Sequence, residues 1–207
     1  MKTCYIIGGG AFDGFFDEIK KDDLVIAADR GYTLAQDHNI KVDYIIGDFD
    51  SATKPQSKDV PKIIALNPIK DFTDTVAAIE MAKDLGYKNI VIYGGLGGRE
   101  SHTISNIRSL YHYKKKGLDI RLKAKGKEIF VIDESLSYKY QGEDFYVSVF
   151  SLEDTSKVTI KGLYYELDSY PMAIDDALGV SNETFQRDFK ISVEDGALVL
   201  IFEDKNI

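Results

Sequence analysis

Short apolar runs rich in β-branched residues recur through the first half of the chain, at residues 5–7, 24–27, 44–46, 62–65 and 89–93. Most end in Gly, Asp or Asn. Runs that are apolar on both faces and separated by helical patterns predict a parallel sheet covered on two sides. From Asp74 to Leu85, Ala78, Met81, Ala82 and Leu85 fall at helical spacing, with Thr73 or Asp74 as cap and Gly86 as stop. A second helical stripe, Ile104, Ile107, Leu110 and Tyr111, runs from about Ser101 to Lys116 and closes at Gly117. Beyond Gly117 the pattern changes to strands, at 119–122, 128–132, 137–140, 145–150, 157–160, 162–165, 189–193 and 197–202, with no strong helix between them. The expected fold class is α/β: an N-terminal parallel-sheet α/β domain over residues 1–124, then a C-terminal all-β, sandwich-like domain over residues 125–207.

Composition narrows the function classes. The 207 residues are 44% hydrophobic, enough for a sizeable core, and the formal charge is −8. The only dense basic run, Lys114-Lys-Lys116, sits at a helix C-terminus, where cations complement the dipole, so extended binding to nucleic acid is not expected. A single cysteine, Cys4, in an apolar run reads as a buried strand thiol, and with three scattered histidines it gives no zinc set. No stretch approaches the ~18 apolar residues of a membrane span, and the N-terminus lacks a signal-peptide pattern. A cytoplasmic location with no membrane partner is the expectation.

The candidate chemistry gathers at predicted strand ends. Ile46-Gly-Asp-Phe-Asp-Ser51 and Lys70-Asp-Phe-Thr-Asp-Thr75 concentrate four carboxylates. Magnesium is held by one or two carboxylates plus substrate phosphates, which an Asp-x-Asp pair after a glycine can supply. Asp48 and Asp50 alone also fit an ordinary strand-end turn. Gly8-Gly-Gly10 would let a ligand approach the backbone, or is simply a turn; it is not a dinucleotide fingerprint, and no P-loop pattern occurs. Both predicted helices begin at polar motifs, and helix N-termini favour anions. Lys70 and Arg99 are placed to meet phosphates, Arg99 as a bidentate fork.

The order Ala28-Asp-Arg-Gly31, Gly47-Asp-Phe-Asp-Ser51, Lys70-Asp-Phe-Thr-Asp74, Gly97-Gly-Arg-Glu-Ser-His102 with Asn106, and Gly179-Val-Ser-Asn182 resembles the bacterial thiamine pyrophosphokinase family over nearly the full chain. The resemblance implies the same two-domain plan and a Mg²⁺-dependent transfer of a pyrophosphoryl group from ATP to the hydroxyl of thiamine, releasing AMP. Asp48, Asp50 and Asp74 are the implied metal ligands. Asp71 would orient substrate or accept the hydroxyl proton, with Asp74 and Asp50 completing the catalytic set. Asp29, Lys70, Thr73, Arg99 and His102 are implied at ATP, and Ser181 and Asn182 at thiamine, in a pocket shared across a homodimer. The family pattern reads Gly-Gly-Arg-x-Asp-His, whereas this chain has Ser101 at the acidic position, so the site is expected to lack one carboxylate unless Glu100 supplies it. A pyrophosphokinase for another hydroxymethyl heterocycle, such as a pterin, and a non-catalytic thiamine- or nucleotide-binding protein are the alternatives.

Overall fold

A computed structural model describes residues 2–47, 62–65 and 72–206. The chain divides into two compact units, Met1–Lys125 and Gly126–Ile207.

In the first unit, strands β1 (Thr3–Ile7), β2 (Leu24–Ala28), β3 (Tyr44–Gly47), β4 (Lys62–Ala65), β5 (Asn89–Tyr93) and β6 (Asp119–Ala124) lie in the order β6-β5-β1-β2-β3-β4. Every pairing among them is parallel. The central strands bury both faces. Tyr5, Ile7, Val25, Ala27, Val91 and Tyr93 form one cluster, while the alternate set Cys4, Ile6, Ile26, Ile90 and Ile92 is equally buried. This two-sided burial is why the runs read as continuous rather than alternating.

Helix α1 (Gly31–Asp37) adds Ala35 to the cluster. Its seven residues are too few for a periodic stripe, and it was not foreseen. Helix α2 (Asp74–Asp84) begins as expected: the Thr73 hydroxyl accepts from the Val76 N–H at 3.3 Å. The chain leaves it through Gly86 at φ 79°. Helix α3 (Glu100–Lys114) departs from its expected stripe, burying Asn106, Leu110 and Tyr113, while Ile104 is 54% exposed. The loop after β1 is tied down by Phe12 and Phe15, which pack on the core cluster. Asp17 fastens it further, accepting from the Tyr93 hydroxyl at 2.6 Å and from Lys123 at 2.7 Å.

The second unit holds β7 (Lys127–Ile132), β8 (Leu136–Tyr138), β9 (Phe145–Ser151), β10 (Thr155–Lys161), β11 (Leu167–Ala173), β12 (Asn182–Glu183), β13 (Phe189–Asp195) and β14 (Leu198–Asp204). They form two antiparallel layers, β12-β9-β14-β7 and β11-β10-β13-β8. Phe130, Val147, Val149, Leu198 and Leu200 from the first layer meet Val158, Ile160, Met172, Phe189 and Ile191 from the second. The expected sandwich is thus present, with three corrections to its strands, the first being the unexpected two-residue β12. Residues 162–165 do not form a strand; Leu163 makes only an isolated bridge to Thr184. Strand β11 was missed because Pro171 and polar residues break its pattern. It is an edge strand, where proline is tolerated.

Candidate active site

A cavity of about 510 Å³ opens in the first unit where strand ends and helix starts converge. Gly9 and Gly10 follow β1, Asp29 and Arg30 follow β2, and Gly94 to Gly98 follow β5. Thr73 and Asp74 begin α2, while Arg99, His102 and Asn106 line the wall from α3. Ligands of open parallel sheets bind at the carboxyl ends of the strands, as here.

The glycines answer to the backbone first. A Cβ on Gly10 would lie 2.6 Å from the carbonyl oxygens of Gly94 and Leu96, so the tails of β1 and β5 can knit together only through glycine. Gly9 has room for a side chain, its nearest neighbour being the Arg30 Cβ at 3.4 Å. The turn reading thus accounts for Gly10, and it does not require a glycine at Gly9.

Asp29 is the most unusual group in the cavity. Its backbone sits at φ 49°, which costs a non-glycine residue about 1 kcal/mol. Its Oδ1 is buried without a hydrogen-bond partner, a further cost of roughly 1–3 kcal/mol. The N–H of Asp29 donates to the Ile46 carbonyl at 2.8 Å, and Gly47 abuts its Cα, so the turn is held rigidly. A buried, unpaired carboxylate oxygen suits a cation or a donor on a ligand. Among the described residues no three His, Cys, Asp or Glu side chains gather closely enough to hold a metal by themselves. Asp29 and Asp74 do fit a magnesium site completed by further oxygens, because that ion commonly takes one or two carboxylates and keeps waters or phosphates. Asp48, Asp50, Lys70 and Asp71 lie outside the described residues.

Anion-binding features occupy the other walls. The starts of α2 and α3 both border the cavity, and their N–H groups and dipoles favour phosphate. Arg99, His102 and Asn106, at spacings of three and four, share one face of α3. Ser101, Ile104, Ser105 and Arg108 line a separate groove on α3. Among the described residues, neither Ser101 nor Glu100 lines the cavity, so a carboxylate at position 101 would not belong to the described part of its wall. Ser101→Asp should therefore leave kcat and the ATP KM within about twofold, while adding about 0.5 kcal/mol at the helix start. Steady-state kinetics with a denaturant melt checks this; a tenfold change in kcat would put position 101 at the reacting atoms. Arg30, Phe72 and Asn106 also line the cavity, although the sequence reading gave them no role. Arg30, Phe72 and Asn106 all belong to the motif blocks that carry the family resemblance, and that membership was the signal available.

In the second unit, Ser181 is exposed at φ 53°, its N–H donating to Ser148 Oγ at 3.0 Å. Asn182 is buried and fully engaged: Oδ1 accepts from the Tyr165 and Glu183 N–H groups, and Nδ2 donates to the Tyr165 carbonyl at 2.7 Å. It holds the Tyr164-Tyr165 turn rather than presenting a polar group to solvent. That turn is 58% and 65% exposed at its two tyrosines, and Tyr164 meets exposed Phe185 edge-on at 5.7 Å.

A family profile described as "Thiamin pyrophosphokinase, catalytic domain" matches residues 15–122, and one described as "Thiamin pyrophosphokinase, vitamin B1 binding domain" matches residues 135–198. The chain is 30% identical to the thiamine pyrophosphokinase of Bacillus subtilis strain 168, over 97% of this chain and 98% of that one. The crystal structure of thiamine pyrophosphokinase from B. subtilis superposes with a TM-score of 0.85 at 24% identity, over 98% and 99% of the two chains. Thiamin pyrophosphokinase from Candida albicans shares the fold at a TM-score of 0.77 and 15% identity, over 99% of this chain and 89% of that one.

Proposed function

Because the chain belongs to the thiamin pyrophosphokinase family and transfers a pyrophosphoryl group from ATP to thiamine, we propose that its first-unit cavity holds Mg²⁺ and ATP and that the Ser181 turn contacts thiamine. The observation that carries this reading is the buried, unpartnered Asp29 oxygen at a cavity bordered by two helix N-termini. The match to the vitamin B1 binding domain supports thiamine over a pterin as acceptor.

In this reading the thiamine hydroxyl attacks the β-phosphorus of ATP. The bond from that phosphorus to the α,β-bridging oxygen breaks, AMP leaves, and the hydroxyl proton passes to Asp71. Asp48, Asp50 and Asp74 would hold Mg²⁺, Asp29 would add a further carboxylate toward the nucleotide, and the ion would neutralise charge on the phosphates. Arg99 grips phosphate oxygens in a fork, and Lys70 adds a point charge. Thr73, whose oxygen already caps α2, keeps its O–H to donate, and His102 offers a second donor on the same wall. The protein's work is positioning and electrostatics, with no covalent intermediate.

Thiamine carries a flat cationic ring that exposed aromatic side chains can stack on. Tyr164, Tyr165 and Phe185 supply such a surface beside Ser181 and above the clamp made by Asn182. Leu178 and Val180, close in sequence to Ser181, are exposed apolar residues as well, and a second copy of the chain would cover them. The chain acts as a homodimer sharing the thiamine pocket, and sedimentation should give twice the chain's mass. No helix among the described residues is long and apolar enough to cross a membrane, and we place the enzyme in the cytoplasm with its substrate ATP.

The thiamine assignment is tested at Ser181. Ser181→Leu should raise the KM for thiamine severalfold, on the order of 1–2 kcal/mol for lost contact and added bulk, and leave the KM for ATP unchanged. Ser181→Gly, which relieves the positive φ and removes only the hydroxyl, should have a smaller effect on thiamine alone. Equal rises for both substrates would place thiamine elsewhere.

A further inference from the structure

Asn106 occupies a position where an apolar residue would serve the fold better. It lies within α3, 7% exposed, one turn before the buried Leu110, and an asparagine in a helix interior costs a few tenths of a kcal/mol relative to leucine. Its amide has a specific partner: Nδ2 donates to the Gly95 carbonyl at 2.7 Å, in a buried contact.

The turn it holds has a one-sided arrangement. The Gly94 carbonyl accepts from the Gly10 N–H at 2.8 Å, and the Leu96 carbonyl accepts from the Ala11 N–H at 2.9 Å. With Asn106 on Gly95, three successive carbonyls, 94 to 96, are drawn into the protein. Among the described residues, none accepts a hydrogen bond from the N–H groups of Gly95 to Gly98. Gly94, Gly97 and Gly98 adopt φ of 64°, 73° and 87°, conformations that suit glycine. Gly94, Gly95, Gly97 and Gly98 line the cavity, and the turn leads directly into the start of α3. A run of backbone N–H groups with its carbonyls turned away forms a concavity for anions.

We infer that Asn106 is a positioning residue whose amide fixes the Gly94–Gly98 turn so that its N–H groups meet the polyphosphate of the nucleotide. This rests on the assignment of ATP to the cavity. Of the three carbonyl anchors, only the one on Gly95 is a side chain. Removing it frees a carbonyl to swing toward the cavity, where it would repel phosphate oxygens.

The test is calorimetric binding of AMP and of α,β-methylene-ATP to the full chain with Mg²⁺, for wild type, Asn106→Asp and Gly95→Ala. Asn106→Asp keeps the shape and removes the donor but adds a carboxylate at the cavity wall, so Gly95→Ala, which adds no charge, separates a shifted turn from direct repulsion of phosphate. Gly95→Ala leaves Asn106 intact and pushes on the same turn, since its Cβ would lie 3.0 Å from Ile92 and 3.1 Å from Leu122. Both should weaken the ATP analogue about tenfold, the order expected for one charge-assisted contact set, and weaken AMP far less. The KM for ATP should rise with the KM for thiamine unchanged. Lower thermal midpoints with unchanged nucleotide affinities in either folded variant would overturn the inference, and so would equal loss of AMP and the analogue. If wild type itself bound neither nucleotide, the cavity assignment would fall first.

Discussion

Asp74→Asn should lower kcat at least about a hundredfold, the size of a lost electrostatic contact to a transition state, with a thermal midpoint close to that of the wild type. Asp74 is the first residue of α2 and borders the cavity, where a carboxylate is favoured by the helix dipole by only about 0.3–1 kcal/mol. The helix keeps its cap from Thr73. Asparagine is nearly isosteric and keeps an acceptor oxygen at the helix start, so the variant is expected to fold. The proposed reaction, by contrast, would lose a full negative charge where Mg²⁺ and the phosphates would meet. Excess Mg²⁺ should recover part of the loss if Asp74 is a ligand. Full turnover of the variant at limiting Mg²⁺ would remove Asp74 from the metal site.

Gly179→Ala should destabilise the second unit by about 2–3 kcal/mol and raise the KM for thiamine at least about tenfold, more than any substitution at Ser181. A Cβ on Gly179 would stand 1.9 Å from the Val149 carbonyl oxygen and 3.4 Å from Met172. The first of these neighbours is fixed: Val149 is fully buried in β9 and donates to the Gly179 carbonyl at 2.8 Å. The segment must therefore lift from β9, carrying with it Ser181 and the Asn182 clamp on Tyr165. The measurements are a denaturant melt and substrate KM values below the melting range. A wild-type midpoint together with a wild-type thiamine KM would show that the close approach is not needed. A raised KM for ATP alone would contradict the placement of thiamine at this turn.

Legibility followed the kind of physics each element depends on. Strands β1, β2 and β5 and the start of α2 were readable because burial on both faces and a Thr cap leave local signals at Tyr5, Val25, Ile90 and Thr73. Strand β11 was hidden by Pro171, since an edge strand does not need every N–H, and the pairing that holds it comes from β10. The opposite error at residues 162–165 came from apolar Leu163, Tyr164 and Tyr165. Gly162, at φ 89° and with no room for a Cβ beside Asp188, bends the chain there. On α3 the pattern favoured Ile104 over Asn106, because hydrophobicity cannot reveal that a buried amide has a carbonyl waiting on another loop.

The candidate site was legible as motifs but not as geometry. Asp29 and Asp74 meet at one cavity, yet nothing in their spacing foretold the positive φ or the unpaired oxygen of Asp29. Position 101 shows the converse. The resemblance drew attention to Ser101, and only the helical phase of α3 reveals that it faces a different groove from His102.

The central claim is tested most directly by incubating the full chain with thiamine, ATP and Mg²⁺ and measuring AMP and thiamine diphosphate in the same samples. The account predicts that the two products accumulate in a one-to-one ratio and that both cease when the metal is chelated. Formation of ADP with thiamine monophosphate, or release of AMP without thiamine diphosphate, would contradict it.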